Sequence, residues 1–326
     1  MAPLRLLALG CVSLLAGCSG VQSALDPAGE EADQVATLFW VMVAGGAVIW
    51  AGVVLLALYA SQWKREPVSE KRASRLIFWG GAVFPIAVLT ALLAYALWLM
   101  PGLRPFAGGD KSELRIEVVG HQFWWHVVYH RPDGTQIVSA NEVRLPVGER
   151  VEFELKSADM IHSFWIPPLG GKMDLIPGRT NRTSLRATKA GTFRGQCAEF
   201  CGLGHALMAF PVVAVEPAEL DAWLDARAGP SAGASAAPGA TIFEREDCGA
   251  CHRIAGTSFA GTAGPDLSHV GSRLTIAAGL LANDEEMLAR FIVHPASLKA
   301  GVQMPAYAHL SAEELAQVAA WLKGLQ

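Results

Sequence analysis

The sequence predicts a multi-domain chain: a transmembrane α-helical hairpin, an antiparallel Greek-key β-sandwich, and an all-α module at the C-terminal end. Three observations carry that prediction. Residues 35–63 and 76–103 contain no charged side chain, and each stretch exceeds the ~20 apolar residues that a bilayer-spanning helix requires. Between about residues 112 and 215, apolar side chains alternate with polar ones and are punctuated by Pro/Gly turns, the pattern of short strands. Near the C-terminus, Cys248-Gly249-Ala250-Cys251-His252 is followed by apolar residues at helical spacing. With 326 residues, of which only 17% are charged, the chain has room for about two globular domains beside a membrane part. Its net charge of −4 supplies no basic field for nucleic acid.

Residues 1–17 read as an export signal: Arg5, then an apolar run over residues 6–15 that is too short to span a bilayer. Leu15-Ala16-Gly17-Cys18 resembles a lipobox, in which Cys18 becomes a lipidated N-terminus. Ordinary cleavage and an uncleaved leader are the alternatives. Two transmembrane helices follow within residues 35–103, at about 36–60 and 76–100, with Pro85 placed to kink the second. The loop between them carries Lys64, Arg65, Lys71, Arg72 and Arg75 against Glu66 and Glu70. By the positive-inside rule that loop is cytoplasmic, and everything after residue 103 lies outside.

Residues 104–225 form the sandwich. Ile116 and Val118 alternate with Arg115 and Glu117, and Val151, Phe153 and Leu155 with Glu152, Glu154 and Lys156. Turns fall at Pro132-Asp133-Gly134, Pro146-Val147-Gly148 and Pro167-Pro168-Leu169-Gly170-Gly171. Residues 226–240 are Ala, Gly, Pro and Ser apart from Arg227. This composition is that of a linker, spanning roughly 20 Å on average and able to let one domain swing onto another.

The richest chemistry lies between Gly195 and Met208. Cys197 and Cys201 are four residues apart, His205 follows by four and Met208 by three more. Thiolates beside an imidazole select copper, zinc or iron–sulfur, and a thioether tips the choice to copper. Two thiolates in one loop can bridge two copper ions, each then taking one imidazole. The second imidazole must come from elsewhere, and His162 is the candidate. The competing reading is a structural disulfide between Cys197 and Cys201. All six cysteines are accounted for: Cys11 and Cys18 in the leader, the loop pair, and Cys248 with Cys251.

Residues 241–326 form the last domain. Cys-x-x-Cys-His is the attachment signature of c-type haem, with thioethers from Cys248 and Cys251 and His252 as axial ligand. Met304, in Gln303-Met304-Pro305, is the candidate for the opposite axial position, with Met287 the alternative. A zinc site would need two more ligands at suitable spacing, and none is present. His269, His294 and His309 are read as non-ligands. Ser311-Ala312-Glu313-Glu314 makes a capping box for a closing helix with Leu315, Val318, Ala319 and Leu322 on one face.

These motifs together resemble the binuclear copper (CuA) subunit II of cytochrome c oxidase, in a bacterial form with a fused cytochrome c domain. The pattern Cys-x-Glu-x-Cys-x-x-x-His-x-x-Met is met at Cys197, Glu199, Cys201, His205 and Met208, and the upstream His-Ser-Phe at His162, Ser163 and Phe164. Lys-x-Asp-x-x-Pro-Gly-Arg is met at Lys172, Asp174, Pro177, Gly178 and Arg179. The resemblance implies a cupredoxin-like sandwich, two copper ions, one haem c, and Glu199 binding copper through its carbonyl while its carboxylate faces a magnesium ion. It implies no catalytic residue in this chain. Electrons would pass from an external donor (a cytochrome c or a quinol–cytochrome c reductase) to haem c, to copper, and on to haem a in subunit I, with subunit III alongside. There, oxygen reduction would be coupled to proton translocation. The location implied is a bacterial inner membrane, with the metal domains on the periplasmic side.

Gly120-His121-Gln122-Phe123-Trp124-Trp125 matches the family's aromatic segment beside copper, except that Phe123 stands where the pattern has Trp. Phe123, Trp124 and Trp125 are therefore electron-transfer candidates, with simple packing as the alternative, and His121, His126 and His130 are read as ordinary histidines. The helical hairpin argues against a nitrous oxide reductase. A copper-containing nitric oxide reductase would use the same relay, and a membrane-anchored copper carrier would have no need of the haem motif.

Overall fold

The computed structural model of the chain describes residues 18–62, 68–103, 114–235 and 237–326. The leader with Cys11, and the loop residues Lys64, Arg65 and Glu66, lie outside the described residues. The chain divides into two compact units, Asp33–Gly108 and Met1–Ala32 with Gly109–Gln326. The first holds most of helix α1 (Glu30–Gln62) and all of α2 (Glu70–Leu99), both long and apolar enough to cross a membrane. Trp50, Ile77 and Trp98 are each about 70% exposed, which suits a lipid environment and not water. Each helix runs past its predicted start, because charged Glu30 and Glu70 extend the helical backbone beyond the apolar span. At Pro85 the chain does not simply kink. Trp79–Val83 forms a π-helical turn in which the Phe84 amide bonds the Trp79 carbonyl. That wider turn accommodates the proline ring and its missing N–H.

The second unit begins with a segment pinned to the sandwich: the Ala28 amide bonds Pro168 O at 2.7 Å and the Thr188 amide bonds Ala28 O at 2.7 Å. Glu31, 6% exposed, accepts from Arg150 at 2.5 Å. Cys18 is half-buried, and its carbonyl accepts from Ser23 Oγ.

Ten strands follow: β1 Arg115–His121, β2 Trp124–His130, β3 Gln136–Ala140, β4 Val143–Pro146, β5 Arg150–Ser157, β6 His162–Trp165, β7 Met173–Leu175, β8 Asn181–Arg186, β9 Gly191–Cys197 and β10 Ala209–Val215. They form two five-stranded sheets in the orders β3-β2-β1-β5-β8 and β4-β10-β9-β6-β7. The sandwich is Greek-key in kind, though not wholly antiparallel: β1 pairs with β5 and β4 with β10 in parallel. The chain crosses to the second sheet at β4 before returning as β5, so these neighbours meet running the same way. The alternation read from sequence is the inward face: Ile116, Val118, Phe153 and Leu155 are fully buried. Phe164 and Phe210 stack at 4.9 Å, with Trp125 edge-on to Phe210 at 5.3 Å. Offset and edge-on pairs of this kind stabilise beyond area burial.

Helix α3 (Pro217–Asp225) covers the end of β4. The helical module comprises α4 (Pro238–Arg245), α5 (Glu285–Val293) and α6 (Ala312–Gly324), with α6 packed on both others. Phe243 contacts Trp321 at 5.2 Å and Phe259 at 5.0 Å. Ser311 and Glu314 form the reciprocal capping box that starts α6, whose buried face is Val318, Ala319, Trp321 and Leu322.

The segment read as a linker is anchored at several points. Residues 238–240 already belong to α4. Arg227 lies 4.1 Å over the Trp223 ring and bonds Ser272 Oγ at 2.6 Å. Ala232 and Gln326 exchange backbone hydrogen bonds, and Trp321 Nε1 bonds Gly233 O. Small residues lack cores of their own, but they fit flush against one supplied by the helices.

Candidate metal centre and haem pocket

One end of the second sheet gathers the sulfur and imidazole groups. His162 opens β6, Cys197 closes β9, and Met208 immediately precedes β10. The intervening loop is held by backbone bonds from the Cys197 amide to Met208 O (2.8 Å) and from the Ala198 amide to Ser163 O (2.9 Å). Strand pairing thus fixes the ends of the loop before any ligand binds. Cys197 Sγ lies 3.8 Å from Cys201 Sγ, 3.9 Å from His162 Nδ1 and 3.2 Å from Glu199 O. Cys201 Sγ lies 3.7 Å from His205 Nδ1 and 3.9 Å from Met208 Sδ. His162 is fully buried, and Cys201 and Met208 are 1% exposed. Both cysteines are free thiols. The six candidate groups therefore converge, and His162, Cys197 and Cys201 alone already satisfy the spacing of a metal-holding group.

The electrostatics favour one shared negative charge. Cys197 is held far below the ordinary thiol range, chiefly by the hydrogen bond from the Cys201 thiol, which is correspondingly pushed up. Burial opposes charge on His162, but Cys197 and Asp159 together outweigh it and raise its pKa.

Asp159 and the Gln122 side chain orient the site, and neither role was read from the sequence. Asp159 Oδ1 lies 2.7 Å from His162 Nε2, so Nε2 carries the proton and Nδ1 presents its lone pair to the sulfurs. Asp159 Oδ2 accepts the Gln122 amide at 2.7 Å, while Gln122 Nε2 donates to Cys201 O at 2.6 Å. Asp159 sits below the usual carboxylate range: burial opposes its charge, but these hydrogen bonds prevail. Gly120 makes room, since a Cβ there would lie 2.8 Å from the His162 ring. The signal available in sequence was Asp159 three residues before His162.

The donor set fits copper: two thiolates, two Nδ1 atoms, a thioether and a carbonyl, with the first-ranked histidine oriented by a carboxylate. Lys172 pairs with the half-exposed Glu199 carboxylate at 3.3 Å and lies 3.9 Å from Asp174. The three aromatic candidates part company. Trp125 is in the core, 6.2 Å from the His162 ring. Trp124 stacks on His121 at 4.2 Å. Phe123 is 5% exposed, sealed from solvent.

The helical module encloses a cavity of about 350 Å³ whose wall includes Cys248, Cys251, His252 and Met304 on one side and Phe123 and Trp124 on the other. Cys248–Ala250 is a tight 3-10 turn, and the His252 amide closes it onto Cys248 O at 3.0 Å. His252 Nδ1 donates to Pro265 O at 2.8 Å, leaving Nε2 as the ligand atom. Burial lowers its pKa and keeps the imidazole neutral, as ligation requires. A Cβ at Gly264 would lie 2.5 Å from this ring. These features fit a covalently attached haem. Met287 is absent from the cavity wall and packs against the helices. His269, His294 and His309 also lie off the wall, and His309 bonds Glu246.

Fold and site define a class: a chain with two membrane-type helices, a cupredoxin-like metal-binding sandwich and a cytochrome-type helical module. Residues 131–215 match the family described as cytochrome c oxidase subunit II, periplasmic domain, and residues 236–326 match cytochrome c. Cytochrome c oxidase subunit 2 of Alkalihalophilus pseudofirmus is 36% identical over 345 residues, covering 99% of this chain and 97% of that one. Its counterpart in Bacillus subtilis is 32% identical, covering 96% and 94%. The solved periplasmic domain of cytochrome oxidase subunit II from Bradyrhizobium japonicum is 34% identical, covering 36% of this chain and 95% of that one, with a TM-score of 0.34. The chain belongs to the cytochrome c oxidase subunit II family. It is a membrane-anchored component of an oxidoreductase complex, with a copper-type and a haem-type domain.

Proposed function

We propose that this chain receives electrons on haem c and relays them through a binuclear copper pair to haem a of subunit I. Oxygen would be reduced to water there, with proton translocation. The observation that carries the reading is the convergence of His162, Cys197, Cys201, His205, Met208 and the Glu199 carbonyl, on a rigid strand end facing a Cys-x-x-Cys-His cavity. When bound, haem and copper supply one-electron chemistry that no side chain of this fold provides. The chain's part is to hold the donors still. Strand β9 fixes Cys197, Gln122 holds Cys201 by its carbonyl, Asp159 fixes His162, and Pro265 O fixes His252, so little has to rearrange when charge arrives. Tethering haem and copper domains in one chain replaces a bimolecular encounter with a local one, at an effective concentration of the order of millimolar.

The finer assignments follow from the same reading. Cys248 and Cys251 would attach the haem, with His252 and Met304 as axial ligands. Glu199's exposed carboxylate would meet magnesium at the subunit I boundary. Phe200 and Leu203, 76% and 82% exposed at the tip of the copper loop, supply the apolar contact that a neighbouring oxidase subunit would cover. Subunit III and an external cytochrome c or quinol–cytochrome c reductase would complete the chain of transfer at a bacterial inner membrane, with Cys18 as lipid attachment point. Names of the curated relatives favour oxygen over nitric oxide, and the haem motif counts against a copper carrier.

Purification of the complex from membranes tests this directly. Two coppers and one covalent haem per chain, with oxygen consumed and nitric oxide not, are expected. Fewer than two coppers with Cys197 and Cys201 oxidised to each other would sink the relay.

A further inference from the structure

Lys299 belongs to the helical module, yet its side chain is 3% exposed and reaches the sandwich. Its Nζ donates to Phe123 O at 2.6 Å and to Ala277 O at 2.8 Å. Burying an amine costs several kcal/mol unless its N–H groups are satisfied, so a lysine in this place calls for a reason. Burial pushes its pKa down to about 7. Ammonium and neutral amine alike offer the two N–H groups that these carbonyls need.

The residue it grips lies where two loops meet. A Cβ on Gly204, next to His205, would lie 2.5 Å from Phe123 Cδ2, and one on Gly301, three residues before Met304, would lie 2.7 Å from Phe123 Cε2. The Phe123 ring therefore borders both the copper loop and the segment leading to Met304, through neighbouring atoms of one edge. Gln122 ties the same strand end to Cys201 O. A side chain on either glycine would displace the Phe123 ring. Buried and capped, Phe123 cannot meet a soluble donor.

We propose that Lys299 is a positioning residue for electron transfer within the chain: by clamping the Phe123 carbonyl it fixes a side chain that borders both the copper loop and the segment leading to Met304. The inference rests on the relay reading. The step it positions moves one electron, oxidising the haem iron by one unit and reducing the copper pair by one, with no bond made or broken. Transfer depends steeply on the gap between centres, so a small displacement is costly, as in other positioned reactions.

The clamp is not what keeps the domains together. The Ala209 amide bonds Ala278 O at 3.0 Å, Arg194 bonds Gly279 O at 2.8 Å, and the Leu274 amide bonds the buried Glu142 carboxylate at 2.8 Å. Lys299→Met should therefore fold. In the intact complex, we expect this variant to keep two coppers and its haem, with both reduction potentials and the rate of haem reduction by external donor unchanged. Transfer from reduced haem to oxidised copper, followed optically after rapid mixing, should slow about tenfold or more. Phe123→Leu, which removes the ring with Lys299 intact, should slow the same step. An unchanged internal rate in both variants overturns the proposal, as does a slow rate accompanied by lost copper or shifted potentials. A wild-type chain with fewer than two coppers would instead refute the relay itself.

Discussion

The copper centre and the haem pocket are built on opposite plans. The copper groups come from β6, the end of β9 and the loop before β10, 46 positions apart at the extremes (His162 to Met208), and strand pairing alone brings them within about 4 Å of one another. Cys248, Cys251 and His252 lie within one short turn, and a large cavity beside them is walled by side chains that reach across from several segments. The difference is that a metal site can be finished by the fold, while a porphyrin pocket is finished by the porphyrin, whose burial supplies contacts the polypeptide cannot make.

Four measurements would break or sharpen that contrast. The largest effect is expected from Cys197→Ser. In the proposed centre this sulfur would serve both metals, so both coppers should be lost together and oxygen turnover should fall more than about a hundredfold. The sandwich should stay folded by circular dichroism; retention of one copper at full stoichiometry would break the bridging assignment. Next, replacing both Cys248 and Cys251 by Ser should leave copper content intact while destabilising the helical module by ~3–4 kcal/mol. Faster hydrogen exchange confined to α4, α5 and α6 would register this, and equal protection with and without haem would contradict the contrast. Third, Asp159→Ala should weaken copper binding by roughly 10–100-fold, read by competition with a chelator, with no change in the haem spectrum.

The smallest effect is the response to acid. Burial holds His126 and His269 below the ordinary histidine pKa, so the folded chain binds fewer protons than the unfolded one near pH 6. Stability therefore rises with pH through that range and is lost as pH falls below about 6.5. Each histidine should contribute at most ~1.4 kcal/mol per pH unit. His126→Gln and His269→Gln together should flatten the slope of thermal midpoint against pH between about 7.5 and 5.5; an unaltered slope would discount both.

How much of this could be read in advance depends on the range of the interaction. Ile116, Val118, Phe153 and Leu155 announced their strands because a period of two repeats within a few residues. The capping box at Ser311 was legible because its two partners are three residues apart. The candidate copper loop was legible for the same reason, and His162 only through a motif it shares with the family. Asp159, Gln122 and Lys299 were not, since a common polar residue gains its meaning from a partner that the chain brings near only when folded. Lys299 is the extreme case, 176 positions from the carbonyl it holds. The anchoring of the segment after Ala226 was not legible, because composition reports what a stretch can bury by itself and not what it can lie against.

By itself, the sequence determined the kinds of donor, the two apolar spans and the haem-attachment turn, all of which rest on residue type and short spacing. Tertiary structure alone decided that the two thiols stay apart at 3.8 Å, that His162 turns Nδ1 inward, and that Phe123 is enclosed between two loops. Those outcomes depend on the register of strands and the docking of one domain on another, and register is settled by the packing of whole faces, which no local pattern records.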